Sequence, residues 1–182
     1  MSRIGKRAIK IDKSVKLSID DKVVCVESEK GKAKFNLPSG ISVKLENDVL
    51  FVNKSLDSKL LRSLHGTTAR VIANMIKDVG NGYKKILEFK GTGYRAKVEN
   101  DKLILNMGYS HDLFFPIEPD IAVSVVKNKI ITEGVDRIKI GQFCAKVRKV
   151  RPPEVYKGKG IKYDNELIKK KAGKAAQTVS GK

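Results

Sequence analysis

The order of hydrophobic patterns along this chain repeats once, and that repeat limits the fold more than any other feature. In the first half, apolar and polar residues alternate in short runs such as "KAKFNL" and "ISVKLE", the period of half-buried β-strands. The period then becomes that of an amphipathic helix, which Asp57 or Ser58 can cap and "GNG" at 80–82 can end. Its predicted apolar face comprises Leu64, Val71, Ile72, Met75, Ile76 and Val79.

The second half follows the same order. "IAVSVV" matches "ISVKLE", and "IIT" after a turn matches "LFV". A second helix then has Ile140, Phe143, Cys144 and Val147 on one face. This internal duplication predicts an α+β fold of two tandem similar domains, each a small mostly antiparallel sheet covered by one helix, plus a basic C-terminal extension. We expect a first repeat over residues 1–82 with a basic N-terminal arm, a second over 83–164, and a basic flexible tail over 165–182.

The "GTGY" stretch at 91–94 resembles half of a dinucleotide-binding fingerprint. It lacks the third glycine, and no helix follows it. We therefore interpret Gly91-Thr92-Gly93 as the turn of a β-hairpin between two strands.

The net charge of +18 predicts a polyanionic partner. Residues 146–182 contain 12 basic and three acidic side chains, which is half of the excess. The first ten residues add Arg3, Lys6, Arg7 and Lys10 without an acid. At the end of the second helix, Lys146, Arg148, Lys149 and Arg151 exceed what capping the helix dipole needs.

The stretch "RPPEVYKGKGIKY" at 151–163 is the sharpest candidate site. Its lysines supply point charges for phosphates, its glycines allow close approach to a partner, and Tyr156 and Tyr163 offer rings for stacking. The alternative is a solvated, disordered tail. The spacing of prolines, tyrosines and glycines favours a binding ribbon, which we expect to remain unpacked until a partner supplies the packing.

The remaining reactive side chains do not form a catalytic or metal-binding set. We expect His65 on a polar helix face, with no base and acid spaced to make a nucleophile site there, and His111 in a loop. With two histidines and no clustered carboxylates, the sequence indicates no metal site. Cys25 and Cys144 lie in apolar runs and are predicted to be buried free thiols in a reducing compartment. No cofactor, metal or small-molecule substrate is expected. The sequence shows neither an apolar stretch of membrane-spanning length nor a secretory signal, so we expect a cytoplasmic protein.

Several separate motifs resemble one family, the sixth protein of the large ribosomal subunit in its bacterial form. They are the opening "SRIGK", then "LHGTTAR", "GTGYRA" and "MGYSH", and finally "PEVYKGKGI" at 153–161. The resemblance covers residues 1 to about 170. Departures are Ala8, where the family usually has proline, and "ESEKG" in place of a Gly-Pro turn at 27–31.

The resemblance implies two similar α/β domains and a structural constituent of the large ribosomal subunit, not an enzyme. Its expected partners are 23S rRNA, near the factor-binding region at the stalk base, and neighbouring large-subunit proteins. The family signature carries RNA contact to Tyr156, Lys157, Gly158, Lys159 and Gly160. With the flanking residues, the predicted rRNA-binding set is Arg3, Lys6, Arg7, Lys149, Arg151, Tyr156, Lys157, Gly158, Lys159, Gly160, Lys162 and Tyr163.

Two other classes of protein share part of this pattern. A nucleoid-type DNA-binding protein would have the charge, but it should show a dimer interface or a groove-reading helix, and the sequence indicates neither. An enzyme with a basic substrate cleft would need a catalytic set, which is absent from the sequence.

Overall fold

The structure is a computed structural model that describes residues 3–12, 14–20 and 22–173. The chain divides into two compact units. The first comprises Met1–Tyr83 with Val135–Arg137, and the second comprises Lys84–Gly134 with Ile138–Lys182.

The first unit contains six strands and one long helix among the described residues. The elements in chain order are β1 (Ile9–Lys10), β2 (Lys16–Asp20), β3 (Val23–Ser28), β4 (Gly31–Asn36), β5 (Ile41–Glu46), β6 (Val49–Lys54) and α1 (Lys59–Asn81). The strands form two antiparallel sheets, in the orders β2-β3-β4 and β1-β6-β5. Asn47 and Asp48 both have positive φ between β5 and β6, as a tight two-residue hairpin turn requires.

Helix α1 begins and ends where the sequence predicts. The Ser58 side chain accepts a hydrogen bond from the backbone N–H of Leu61, and Gly82 ends the helix with a φ of 83°. The helix contacts β3, β4, β5 and β6, so it covers strands of both sheets. Its fully buried apolar residues pack with strand residues into one core, which contains Val24, Val26, Leu50, Ala69, Ile72, Ile76 and Val79.

The second unit repeats this plan. Its elements are β7 (Tyr83–Lys90), β8 (Arg95–Glu99), β9 (Lys102–Asn106), β10 (Leu113–Pro116), β11 (Ile121–Val126), β12 (Lys129–Gly134), α2 (Arg137–Val150) and β13 (Gly160–Tyr163). Only the first residues of β7 and α2, Tyr83 and Arg137, group with the first unit. Ile140, Phe143, Cys144 and Val147 are the buried residues of α2, as predicted. Aliphatic and aromatic side chains such as Ile140 and Val147 each contribute about 1.5–3 kcal/mol when fully buried.

The sheets of the two units correspond strand by strand, with one addition. The β10-β9-β8 sheet matches the β2-β3-β4 sheet, and the β11-β12-β7 part of the second sheet matches β5-β6-β1. Strand β13 adds a fourth strand beside β7, and it has no counterpart in the described part of the first unit. The predicted pair of sheet-and-helix domains is therefore confirmed, although each unit has two sheets where the sequence predicted one.

The hairpin predicted at Gly91-Thr92-Gly93 is wrong. Strand β7 pairs with β12 and β13, whereas β8 pairs with β9 in the other sheet. The turn therefore carries the chain from one sheet to the next. Local sequence cannot distinguish the two outcomes, because both need strands on either side of a glycine-rich turn.

The prediction that His65 lies on a polar helix face is also wrong, and the nearby Thr68 on the same helix is buried as well. The exposed fraction of His65 is 6%, and that of Thr68 is 1%. His65 Nε2 lies 2.8 Å from the carbonyl oxygen of Val52 on β6, so the ring is a buried, hydrogen-bonded part of the first unit.

Candidate nucleic-acid interface

The basic C-terminal segment begins where α2 ends. Arg151 follows the helix, and Pro152 and Pro153 come next; neither proline has the backbone N–H that a continuing helix needs. The backbone N–H of Ile161 donates to the carbonyl of Arg151 at 2.7 Å. This bond closes the segment into a loop whose two ends lie side by side at the base.

Residues 154–159 form the tip of that loop. The backbone N–H of Glu154 donates to the carbonyl of Lys159 at 2.8 Å. Gly158 has a φ of 71°, a conformation that favours glycine. Tyr156 is 54% exposed, and Lys157 is also exposed. The loop therefore offers an aromatic ring and a cation on a base closed by hydrogen bonds.

The second half of the segment is packed, which corrects the prediction of an unpacked ribbon. Gly160 to Tyr163 form β13, which pairs antiparallel with β7, and the exposed fraction of Ile161 is 0%. A Cβ added at Gly160 would lie 2.6 Å from the carbonyl oxygen of Pro152. Close packing within the segment therefore requires glycine at 160, whereas we expected the glycine to allow close approach to a partner.

Two predicted contact residues on β13 already have partners within the second unit. Lys162 Nζ lies 3.0 Å from a Glu88 carboxylate oxygen. The Tyr163 ring has Lys85 Nζ 4.5 Å and the Arg148 guanidinium 5.5 Å from its centroid, both within cation–π range. These contacts leave the exposed tip as the more accessible part of the predicted site.

The chain then returns towards the loop. Glu166 accepts hydrogen bonds from Arg148 Nε at 3.0 Å and from the backbone N–H of Tyr163 at 3.1 Å. The hydrogen bond from Arg148 is the main reason that the pKa of Glu166 lies below its usual value. The backbone N–H of Lys171 donates to the carbonyl of Val155 at 3.0 Å. The beginning of the predicted flexible tail thus contacts both α2 and the loop, and residues 174–182 lie outside the described residues.

The N-terminal arm is a second basic group, in the first unit. Arg3, Lys6 and Arg7 are exposed, whereas Gly5 between them is buried. A Cβ added at Gly5 would lie 2.4 Å from His65 Nδ1, so the arm's backbone packs directly on the buried ring. Sequence reasoning missed this anchor, because nothing local relates Gly5 to a histidine 60 residues away.

Comparison with known proteins covers both units. The family model for ribosomal protein L6 matches residues 90–164, which include the loop and β13. The large ribosomal subunit protein uL6 of Desulfitobacterium hafniense is 45% identical over 184 residues, covering 100% of both chains. The uL6 proteins of Rippkaea orientalis and Borrelia hermsii are each 43% identical, over 97% and 96% of this chain and 99% and 98% of their own lengths.

The chain belongs to the ribosomal protein L6 family. This membership confirms the predicted family, the prediction of a ribosomal protein and the prediction that it is not an enzyme. It also decides against the nucleoid DNA-binding alternative. The contacts of individual residues with RNA stay predictions.

The cysteines of this L6 family member are free, as predicted. Cys144 is fully buried, and burial is the main reason that the pKa of its thiol is raised. Cys25 is only half-buried, which corrects its predicted burial. Among the described residues, no group of three or more histidine, cysteine or acidic side chains is placed to hold a metal ion. None of the described helices has the length and apolar character needed to cross a membrane.

Proposed function

We propose that this chain is a structural constituent of the large ribosomal subunit, in the cytoplasm, and that it binds 23S rRNA through the loop at 154–159. The observation that carries the proposal is the loop's geometry. Its backbone is closed at Glu154–Lys159, and its tip exposes Tyr156 and Lys157. A preorganised basic loop loses little conformational entropy when it enters an RNA cleft.

Charge supplies the affinity in this proposal. Lys149 and Arg151 flank the loop and are exposed, and Lys159 closes it. Neutralising phosphates with these side chains releases counterions, and this favours binding at low salt. RNA shape and 2′-hydroxyls, more than base edges, provide the specificity expected for folded RNA.

Residues 160, 162 and 163 have a supporting role in the proposal. Strand β13 fixes the end of the loop to β7, and Lys162 and Tyr163 are engaged with neighbouring side chains. Arg3, Lys6 and Arg7 of the N-terminal arm are proposed as a separate RNA contact of the first unit. A location near the factor-binding region at the stalk base follows from the family resemblance, as do contacts with neighbouring large-subunit proteins.

Photocrosslinking tests the proposal most simply. Purified protein is crosslinked to a 23S rRNA transcript that contains 4-thiouridine, and the modified residues are mapped by mass spectrometry. We expect crosslinks in 154–159 that excess duplex DNA does not remove. Crosslinks that avoid this loop, or that duplex DNA competes away, would contradict the proposal.

A further inference from the structure

Two tyrosines of the second unit, Tyr94 and Tyr109, lie near Arg151 at the start of the basic segment. Tyr109 is 40% exposed, and its hydroxyl donates to the carbonyl of Val150 at 2.9 Å. The Arg151 guanidinium carbon lies 5.4 Å from the centroid of the same ring. A Cβ added at Gly108 would lie 3.3 Å from Tyr94 Cε1, so the Tyr94 ring packs against the residue next to Tyr109.

The glycines of "GTGY" shape this arrangement. A Cβ added at Gly91 would lie 2.5 Å from Tyr94 Cδ2, so only glycine leaves room for the ring. Gly93 has a φ of 77°, which turns the chain between β7 and β8. His111 extends the aromatic group, with its ring centroid 6.4 Å from that of Tyr109.

Tyr94 also lines a cleft of about 490 Å³, a volume within the usual range for ligand sites. Its lining includes Arg95, Lys127 and Asn128. One wall is fixed by the backbone N–H of Phe89, which donates to the carbonyl of Asn128 at 2.9 Å. Neither Arg95 nor Lys127 forms an ion pair with any residue that the structure describes.

We define the tyrosine surface as Tyr94, Tyr109, His111 and Arg151 together with the adjoining cleft. We infer that the tyrosine surface binds an unpaired segment of RNA, with a base stacked on Tyr109 and backbone phosphates at Arg95 and Lys127. This inference rests on the proposed function, because Arg151 belongs both to this surface and to the proposed loop interface.

The chemistry favours unpaired RNA as the occupant. Exposed rings beside guanidinium groups stack on splayed bases, which a regular duplex does not present. Unpaired lysine and arginine side chains meet phosphates, and the Asn128 amide can bond a base edge. This cleft is lined mainly by charged and amide side chains, whereas the buried centre of a protein–protein interface is depleted of charged residues.

The test measures binding of the full-length protein to a 23S rRNA transcript over a range of salt concentrations. Tyr109→Leu should weaken binding at least about fivefold with little change in salt slope, because stacking carries no charge. Tyr109→Phe should retain most of the affinity. Phe114→Leu is the matched control, since Phe114 is a 60% exposed aromatic of the same unit. Thermal melts establish that each variant is folded.

A second variant does not depend on the tyrosine. Arg95→Ala combined with Lys127→Ala should lower the salt slope by about 0.7–0.9 for each phosphate that is no longer neutralised. Wild-type affinity in both Tyr109→Leu and the double variant would overturn the inference. If Lys157→Ala with Lys159→Ala still weakens binding in that case, the proposed loop function stands and only the tyrosine surface is excluded. A third outcome is that Tyr109→Leu binds RNA normally but fails to enter the large subunit. This would identify a protein as the occupant of the tyrosine surface and would also overturn the inference.

Discussion

Glu166 accepts hydrogen bonds from both Nε and Nη2 of Arg148, so a carboxylate of the C-terminal segment is bound side-on to the last turns of α2. The same carboxylate accepts from the backbone N–H of Tyr163 at the end of β13. Glu166 is one of only three acids in residues 146–182, where 12 side chains are basic. An acid in such a segment weakens its attraction to a polyanion. These hydrogen bonds indicate that Glu166 instead stabilises the fold of the segment.

The Arg148–Glu166 pair should make stability depend on pH. The folded-state pKa of Glu166 lies below its usual value of 4.5. Its contribution is therefore present above pH 4.5 and is lost as pH falls through the lower folded-state pKa. We expect Glu166→Gln to lower the free energy of unfolding by about 1 kcal/mol at pH 7 and by much less at pH 3. Urea unfolding at both pH values measures this.

The control for that experiment is an exposed ion pair in the same unit. Lys97 and Glu99 lie 2.9 Å apart, and both side chains are more than half exposed. Glu99→Gln should change stability by less than about 0.5 kcal/mol at either pH. An equal loss in the two variants would show that the Arg148–Glu166 geometry adds nothing specific.

Gly160→Ala should destabilise the second unit by at least about 2 kcal/mol, through both its positive φ of 134° and the clash with Pro152. Gly158→Ala is a matched control, because its φ is 71° but the nearest atom to an added Cβ is 3.5 Å away. Gly158→Ala should lower the free energy of unfolding by about 1 kcal/mol, because only the positive φ opposes the alanine. Chemical denaturation measures both losses. Equal losses would mean that the clash at 160 relaxes without cost.

Helix-on-sheet packing should be essential in both units. Ile72 is fully buried, and Phe143 is 7% exposed. Ile72→Asp and Phe143→Asp should each destabilise by several kcal/mol, because each buries an unpaired charge. Lys146→Asp, at an exposed position of α2, should be far milder. Thermal melts in which the two core variants match the wild type would refute the assignment of these helices to the sheets.

The two thiols should differ in reactivity towards iodoacetamide. Cys144 is fully buried and near Thr132 Oγ1, and its pKa is raised mainly by burial. We expect Cys25 to be alkylated in the native protein and Cys144 only after unfolding, since the thiolate is the reactive species. Mass spectrometry of the partly alkylated protein measures the order. Equal rates at both thiols would contradict the packing of α2.

The sequence correctly predicted the features that depend only on local residue spacing. The α2 face of Ile140, Phe143, Cys144 and Val147 and the Ser58 cap of α1 are both local patterns, and both are confirmed. Strand β13 escaped prediction because its pairing with β7 joins residues about 70 positions apart. The glycines and lysines before it have the composition of a solvated ribbon, so the sequence did not indicate that Ile161 is buried.

The candidate site was predictable in composition but not in geometry. The surplus of basic residues identified the C-terminal segment as the candidate site, and the family signature identified the residues at the tip of its loop. Which lysines stay exposed depends on tertiary neighbours: Glu88 engages Lys162, whereas Lys157 is exposed. No spacing rule relates Lys162 to an acid 74 residues earlier in the sequence.

The most direct test of the loop interface is the salt dependence of affinity for 23S rRNA after Lys157→Ala and Lys159→Ala are combined. The control combines Lys34→Ala and Lys44→Ala, two exposed lysines on strands of the first unit, and changes net charge equally. We predict that the loop variant binds more weakly and that its slope of log affinity against log salt falls by about 0.7–0.9 for each phosphate that the loop no longer neutralises, whereas the control stays close to wild type. Equal slopes and affinities in the loop variant, the control and the wild type would contradict the account.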